Sequence, residues 1–112
     1  MTKQSRAQRI ADLNDKFRKN LVNRRPYLHD GRRQRQRSGV RFKDVSEVIA
    51  FDDFNADNDP HSEHDFGSFE LEGEKLFWKI DYYDLAGEFG SEDPTDPKKT
   101  LRVLTVMLAE EY

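Results

Sequence analysis

Between Phe66 and Asp84 the chain alternates apolar and polar residues on both sides of Glu72-Gly73-Glu74. Phe69 and Leu71 alternate with Ser68 and Glu70. After the turn, Leu76, Trp78, Ile80 and Tyr82 share one face, and Phe77, Lys79, Asp81 and Tyr83 share the other. A two-residue period belongs to an extended strand and not to a helix. Gly73 supplies the residue that a tight hairpin turn needs at positive φ. A lone hairpin is marginal in water, so whatever else the chain forms must cover the Leu76–Tyr82 face. The opposite face is mixed and stays at least partly wet.

The flanking segments supply helices for that cover. Ser5 with Gln8 three residues later has the spacing of a capping box. Ile10, Leu13, Phe17 and Leu21 then form one apolar stripe, which predicts a helix from about Ser5 to Leu21. Val40 and Phe42 alternate with Arg41 and Lys43, a short candidate strand. Asp44 is a candidate cap for a helix running to about Phe54, with Val45, Val48 and Ile49 facing inward. Asp96-Pro97 reads as a cap followed by proline at the first helical position. The apolar residues from Leu101 to Leu108 then predict a buried helix ending near Tyr112, with strand as the alternative that the β-branched residues leave. The order helix, strand, helix, hairpin, helix defines an α+β fold: a small single domain, helices packed on an antiparallel sheet built around one β-hairpin. Its 112 residues divide into an N-terminal helix (1–22), a basic loop (23–39) and an α+β core (40–112).

Charge is divided unevenly along the chain. Residues 1–43 hold 14 Lys/Arg and 3 Asp/Glu; residues 44–112 hold 5 and 19, so halves of +11 and −14 make up the net −3. Such a split either closes the fold on itself or presents one half to a charged partner. Arg32, Arg33, Arg35 and Arg37, four arginines in six residues, are the candidate nucleic-acid contacts, weighed against a solvated loop. The 19 carboxylates of the other half could imitate a phosphate backbone. There is no cysteine, which excludes disulfides, thiolate metal sites and cysteine nucleophiles, and favours the cytoplasm. No apolar run approaches the length of a membrane span, and the N-terminus lacks the apolar core of a signal peptide.

Several segments are familiar as a set: FDDF at 51–54, DNDP at 57–60, EHDFG at 63–67, FWKIDYYD at 77–84 and RVLTVMLAEEY at 102–112. They resemble a domain-of-unknown-function family of small proteins from Gram-negative bacteria, often found on plasmids and mobile elements. The resemblance covers about residues 48–112, and Arg9–Asp15 is similar to the family's first helix. It implies a family without implying an activity.

Polar chemistry concentrates in two places. The loop 52–65 carries Asp59, His61, His64 and Asp65, an imidazole and carboxylate set suited to a divalent transition metal. The ordinary alternative is that Asp59 and Asp65 cap turns while His64 hydrogen-bonds inside the fold. Asp53, Asn55 and Asp57 fit the first ligand positions of an EF-hand loop, but Asn58 and His64 stand where glycine and glutamate are needed, so an EF-hand is rejected. The second place is the hairpin end. There Asp81, Tyr83 and Asp84, together with Asp52, Asp53 and Asp57 of the loop, form a candidate binding surface. No phosphate-cradling glycine loop, nucleophile elbow or H-E-x-x-H occurs. The expectation is a non-enzymatic accessory binding protein with a protein partner, DNA-mimic-like in its acidity and needing no cofactor. A small metal-dependent hydrolase built on loop 52–65 is the alternative.

Overall fold

A computed structural model of the chain describes residues 4–21, 28–30 and 41–112. Helix α1 spans Arg6–Lys19 and helix α2 spans Phe42–Ala50. The strands are β1 (Leu28–Asp30), β2 (Phe66–Leu71), β3 (Glu74–Tyr83) and β4 (Leu101–Leu108), followed by a 3-10 turn at Ala109–Glu111. The sheet order is β1-β4-β3-β2. β2, β3 and β4 are antiparallel, and the three-residue β1 adds to β4 in parallel. The architecture is the expected α+β domain.

Helix α1 begins where its cap predicts, with Gln8 N–H donating to Ser5 Oγ at 3.1 Å. The Gln8 amide does not return to Ser5. It donates to Asp12 one turn on, which holds that carboxyl below its ordinary range. Lys16, Arg18 and Lys19 occupy the last turn, where positive charge meets the helix dipole favourably. Ile10, Phe17 and Leu21 are buried, and Leu13 is half-buried.

Two expectations about elements are corrected. Phe42 and Lys43 belong to α2 and not to a strand; Val40 lies outside the described residues. Asp44 is the third helical residue and not the cap. Its carboxylate accepts from Arg41 N–H at 3.2 Å, so Arg41 occupies the capping position. The helix also stops at Ala50, short of Phe54, because Phe51 turns extended and its ring packs edge-on against Phe54 and Trp78. The predicted C-terminal helix is instead strand β4. Arg102, Leu104 and Val106 alternate as buried residues with the half-buried Leu101, Val103 and Thr105, a two-residue period that a run apolar on both faces conceals. Pairing with β3 over eight positions, from Leu76↔Leu108 to Tyr83↔Leu101, outweighs helix propensity there. Asp96 caps a tight turn instead, accepting from Lys98 N–H at 2.9 Å.

The hairpin is as expected. Glu72 (φ 55°) and Gly73 (φ 79°) are both left-handed, the signature of a type I′ turn. Glu72 accepts the strain of that conformation while its carboxylate binds Arg41 and Lys43. Both helices lie on the face bearing Leu76, Trp78, Ile80, Leu104 and Val106, all essentially buried. Trp78 is the largest of these side chains, and its indole lies directly over Gly67 in β2. A methyl group at Gly67 would overlap the indole ring.

Gly67→Ala is therefore expected to cost about 1–3 kcal/mol through overpacking. Urea unfolding of the variant against wild type checks this; an unchanged midpoint would mean that the indole moves aside freely.

Candidate functional site

The acidic loop folds by hydrogen-bonding to itself. Asn55 Oδ1 accepts from the N–H groups of Asp57 and Asn58, and Asn58 Oδ1 accepts from Asn55 N–H. These are the side-chain turns that Asn and Asp favour. Asp59 is buried, and its Oδ1 accepts from Glu63 N–H at 3.1 Å and His64 N–H at 3.2 Å. Ser62 and His64 take positive φ (both 57°) to make the turn possible.

His64 then reaches across to helix α1. Its Nδ1 lies 3.0 and 3.1 Å from the two carboxylate oxygens of Asp15. Its ring stacks on Phe54 with centroids 4.0 Å apart. Asp15 also accepts from Arg18 Nη2 at 2.9 Å. Arg18 is 3% exposed, and its Nη1 donates to the carbonyls of Val48 and Phe51 at the end of α2. The guanidinium lies 5.1–5.2 Å from the Trp78 and Phe54 ring centroids. The remaining imidazole nitrogen, Nε2, is 3.7 Å from Asp59 Oδ2. That distance is too long for a hydrogen bond.

A second buried polar group sits one helical turn away. Asn14, fully buried, donates to Glu63 O and Tyr82 Oη and accepts from Arg102 Nε at 2.7 Å. Burial pushes the Tyr82 phenol up from its ordinary value. Burial likewise raises the Glu63 and Asp65 carboxyls, with neighbouring carboxylates adding to the effect; for Asp65 these are Asp59 and Asp81.

The predicted metal set is thus distributed. Asp59 and His64 come together, Asp65 lies half-buried beside them in the chain, and His61 is exposed. Among the described residues no group of three or more His, Asp or Glu side chains is placed to hold a metal ion. Asp52, Asp53 and Asp57 are exposed on the loop. Asp81 pairs with Lys79 at 3.1 Å, and Tyr83 bridges to Gly90. Arg32, Arg33, Arg35 and Arg37 lie outside the described residues. Sequence reasoning missed Asn14, Asp15, Arg18 and Arg102. A polar residue inside the apolar stripe of α1 was the available signal for Asn14.

The hairpin end is a braced turn. Asp84 Oδ1 accepts from Glu88 N–H at 3.0 Å and Phe89 N–H at 3.4 Å. Asp84 N–H donates to Phe89 O at 2.7 Å, and Ser91 N–H to Tyr82 O at 3.0 Å. Gly87 takes φ 73° at its apex. The turn holds Leu85 64% and Phe89 71% exposed, with Glu88 and Glu92 exposed on either side of Phe89 in the chain. β2 begins where β3 ends, so loop 52–65 enters the sheet at the same end as this turn.

Residues 34–111 match the family described as protein of unknown function (DUF3768), and the chain belongs to that family. No curated protein and no solved structure matches it. No described helix is long and apolar enough to cross a membrane.

Asp65 provides a pH test of this electrostatic picture. A carboxyl raised in the fold binds its proton more tightly there than in the unfolded chain, so its contribution to stability falls as pH rises past the ordinary carboxylate range. Asp65→Asn is expected to unfold at a higher temperature than wild type at pH 7, with the difference shrinking toward pH 4. Thermal unfolding across that range checks it; an equal gain at every pH would contradict it.

Proposed function

We propose that the protein is a non-enzymatic accessory binding protein that docks a basic protein partner at the hairpin end. The observation that carries this is the Asp84–Gly90 turn, whose backbone is tied by its own carboxylate while Leu85 and Phe89 stand in solvent. Holding an aromatic side chain out on an ordered turn is the arrangement of an interface anchor, which gains its energy only when a partner covers it. The exposed carboxylates of Glu88 and Glu92 belong to the turn and the segment after it, and Asp52, Asp53 and Asp57 lie exposed on the loop that leads into β2. They would steer a cationic partner and imitate the charge of a phosphate backbone. A partner met on a mobile element is part of this proposal. The polar groups that catalysis would use are instead tied into the fold, Asp59 to backbone N–H groups and His64 to Asp15.

The test is a crosslinking and pull-down comparison of wild type with Leu85→Ser/Phe89→Ser. Both residues are exposed, so stability should stay within about 0.5 kcal/mol of wild type. A partner captured by wild type in low salt, released as salt rises, and lost with the double variant supports the reading. Equal capture by both proteins sinks it.

A second reading is favoured by one distance. His64 Nε2 and Asp59 Oδ2, 3.7 Å apart, could both bind one divalent ion, with Asp15 orienting the ring from Nδ1. A metal-dependent hydrolase would start from that pair, with water completing the coordination. Thermal unfolding with EDTA and then with zinc, manganese or calcium decides it. A metal at a hundred times its dissociation constant adds about 2.7 kcal/mol. That is a rise of roughly 10 °C in a domain this small. The rise should vanish in His64→Ala; no shift with any metal removes the reading.

A further inference from the structure

Arg102 is a cation taken out of water with no ion-pair partner among the described residues, the Glu63 carboxylate favouring its charge only from beyond ion-pair distance. Only 8% of it is exposed. Nε donates to Asn14 Oδ1 at 2.7 Å and Nη2 to Pro94 O at 2.6 Å, both neutral acceptors. Its guanidinium lies 5.2 Å from the Tyr82 ring centroid. No carboxylate among the described residues forms an ion pair with it, in contrast to Arg18 and Arg41, which have Asp15, Asp44 and Glu72. Hydrogen bonds to neutral groups and a ring face only partly replace the lost hydration of a buried charge.

Arg102 also lines an open cavity of about 380 Å³ between α1 and the start of β4. Leu13, Phe17, Leu85 and Leu101 give the cavity apolar walls, and Lys16 adds a second cation. Among the described residues no Asp or Glu lines it, although these are abundant elsewhere in residues 44–112. The volume is at the small end of the range for ligand sites, and walls of this kind around a few charged groups are the usual composition of such sites.

From this juxtaposition of an unpaired buried arginine, a second cation and apolar walls, we infer that the cavity between α1 and β4 binds a small organic carboxylate with an apolar body. The carboxylate would meet Arg102 and Lys16, and the body would cover the leucines and Phe17. A planar guanidinium suits a carboxylate, and partial exclusion from water strengthens the pairing. The cavity shares Leu85 with the docking turn but not Phe89, the more exposed anchor, which does not line it.

The full chain labelled with ¹⁵N should be titrated with phenylacetate, with phenylacetamide as the neutral isostere and with inorganic phosphate, following amide shifts. The expected result is saturable movement centred on Leu13, Thr100 and Leu101 with phenylacetate, and binding at least about ten-fold weaker for the amide and for phosphate. Lys16→Glu and Leu85→Glu change exposed side chains, so they should fold as wild type does, and each should weaken phenylacetate about ten-fold or more. Phe89→Ser should leave that affinity unchanged while weakening partner capture, which separates this site from the docking turn. Arg102→Gln, where it folds, should bind acid and amide alike. Equal binding of acid and amide by wild type would reduce the cavity to an apolar cleft and overturn the inference. So would an absence of saturation at millimolar phenylacetate, or shifts centred elsewhere.

Discussion

The guanidinium of Arg18 is the interaction on which most of the packing depends. Helix α2 is only nine residues long, too short to be stable alone, and its last carbonyls have no partners within the helix. Arg18 supplies two of those partners from α1, at Val48 and Phe51. The same group lies against Trp78 at the centre of the sheet face and holds Asp15, which in turn holds His64 and the end of the acidic loop. One side chain thus links both helices, the sheet and the loop. A buried arginine is tolerable here because Asp15 neutralises it, backbone carbonyls saturate Nη1, and aromatic faces cover what remains.

Arg102 is treated differently. Both arginines are buried, and both cross from one element to another. Arg18 has a carboxylate partner in Asp15 and two backbone carbonyls on Nη1. Arg102 ends on Asn14, on a proline carbonyl and on an open cavity. The carboxylates show the same division. Asp15, Asp44 and Asp59 are bound into the fold, while Asp52, Asp53, Asp57, Glu88 and Glu92 face water. Only the groups left over once folding has taken the others are open to a partner, as the proposed function requires.

Much of the fold was legible because it depends on local patterns. Ser5 and the stripe Ile10–Leu21 specify α1, and Glu72-Gly73 with its alternating flanks specifies the hairpin. β4 was not legible: an apolar run carries no phase, so strand and helix fit it equally until β3 offers a pairing edge. Phe42 and Lys43 alternate as a strand would, yet Asp44 can take the Arg41 N–H, and the helix starts there. Of the candidate site, His64 and Asp59 could be read as polar residues of consequence. Their partner Asp15 could not, since it lies 49 positions from His64 in the chain.

The sequence by itself determined the α+β class, the hairpin, the first helix and the separation of basic from acidic residues. Each follows from neighbours within a few positions or from a count of charges. The tertiary structure alone decided which polar groups would be consumed in holding the fold and which would remain exposed. Asn14 with Arg102, and Asp15 with His64, are pairs far apart in the chain, and burial converts them from ordinary surface residues into groups that must be satisfied. Whether a charge closes on the chain or stays open to a ligand depends on where packing places it, and no local pattern encodes that.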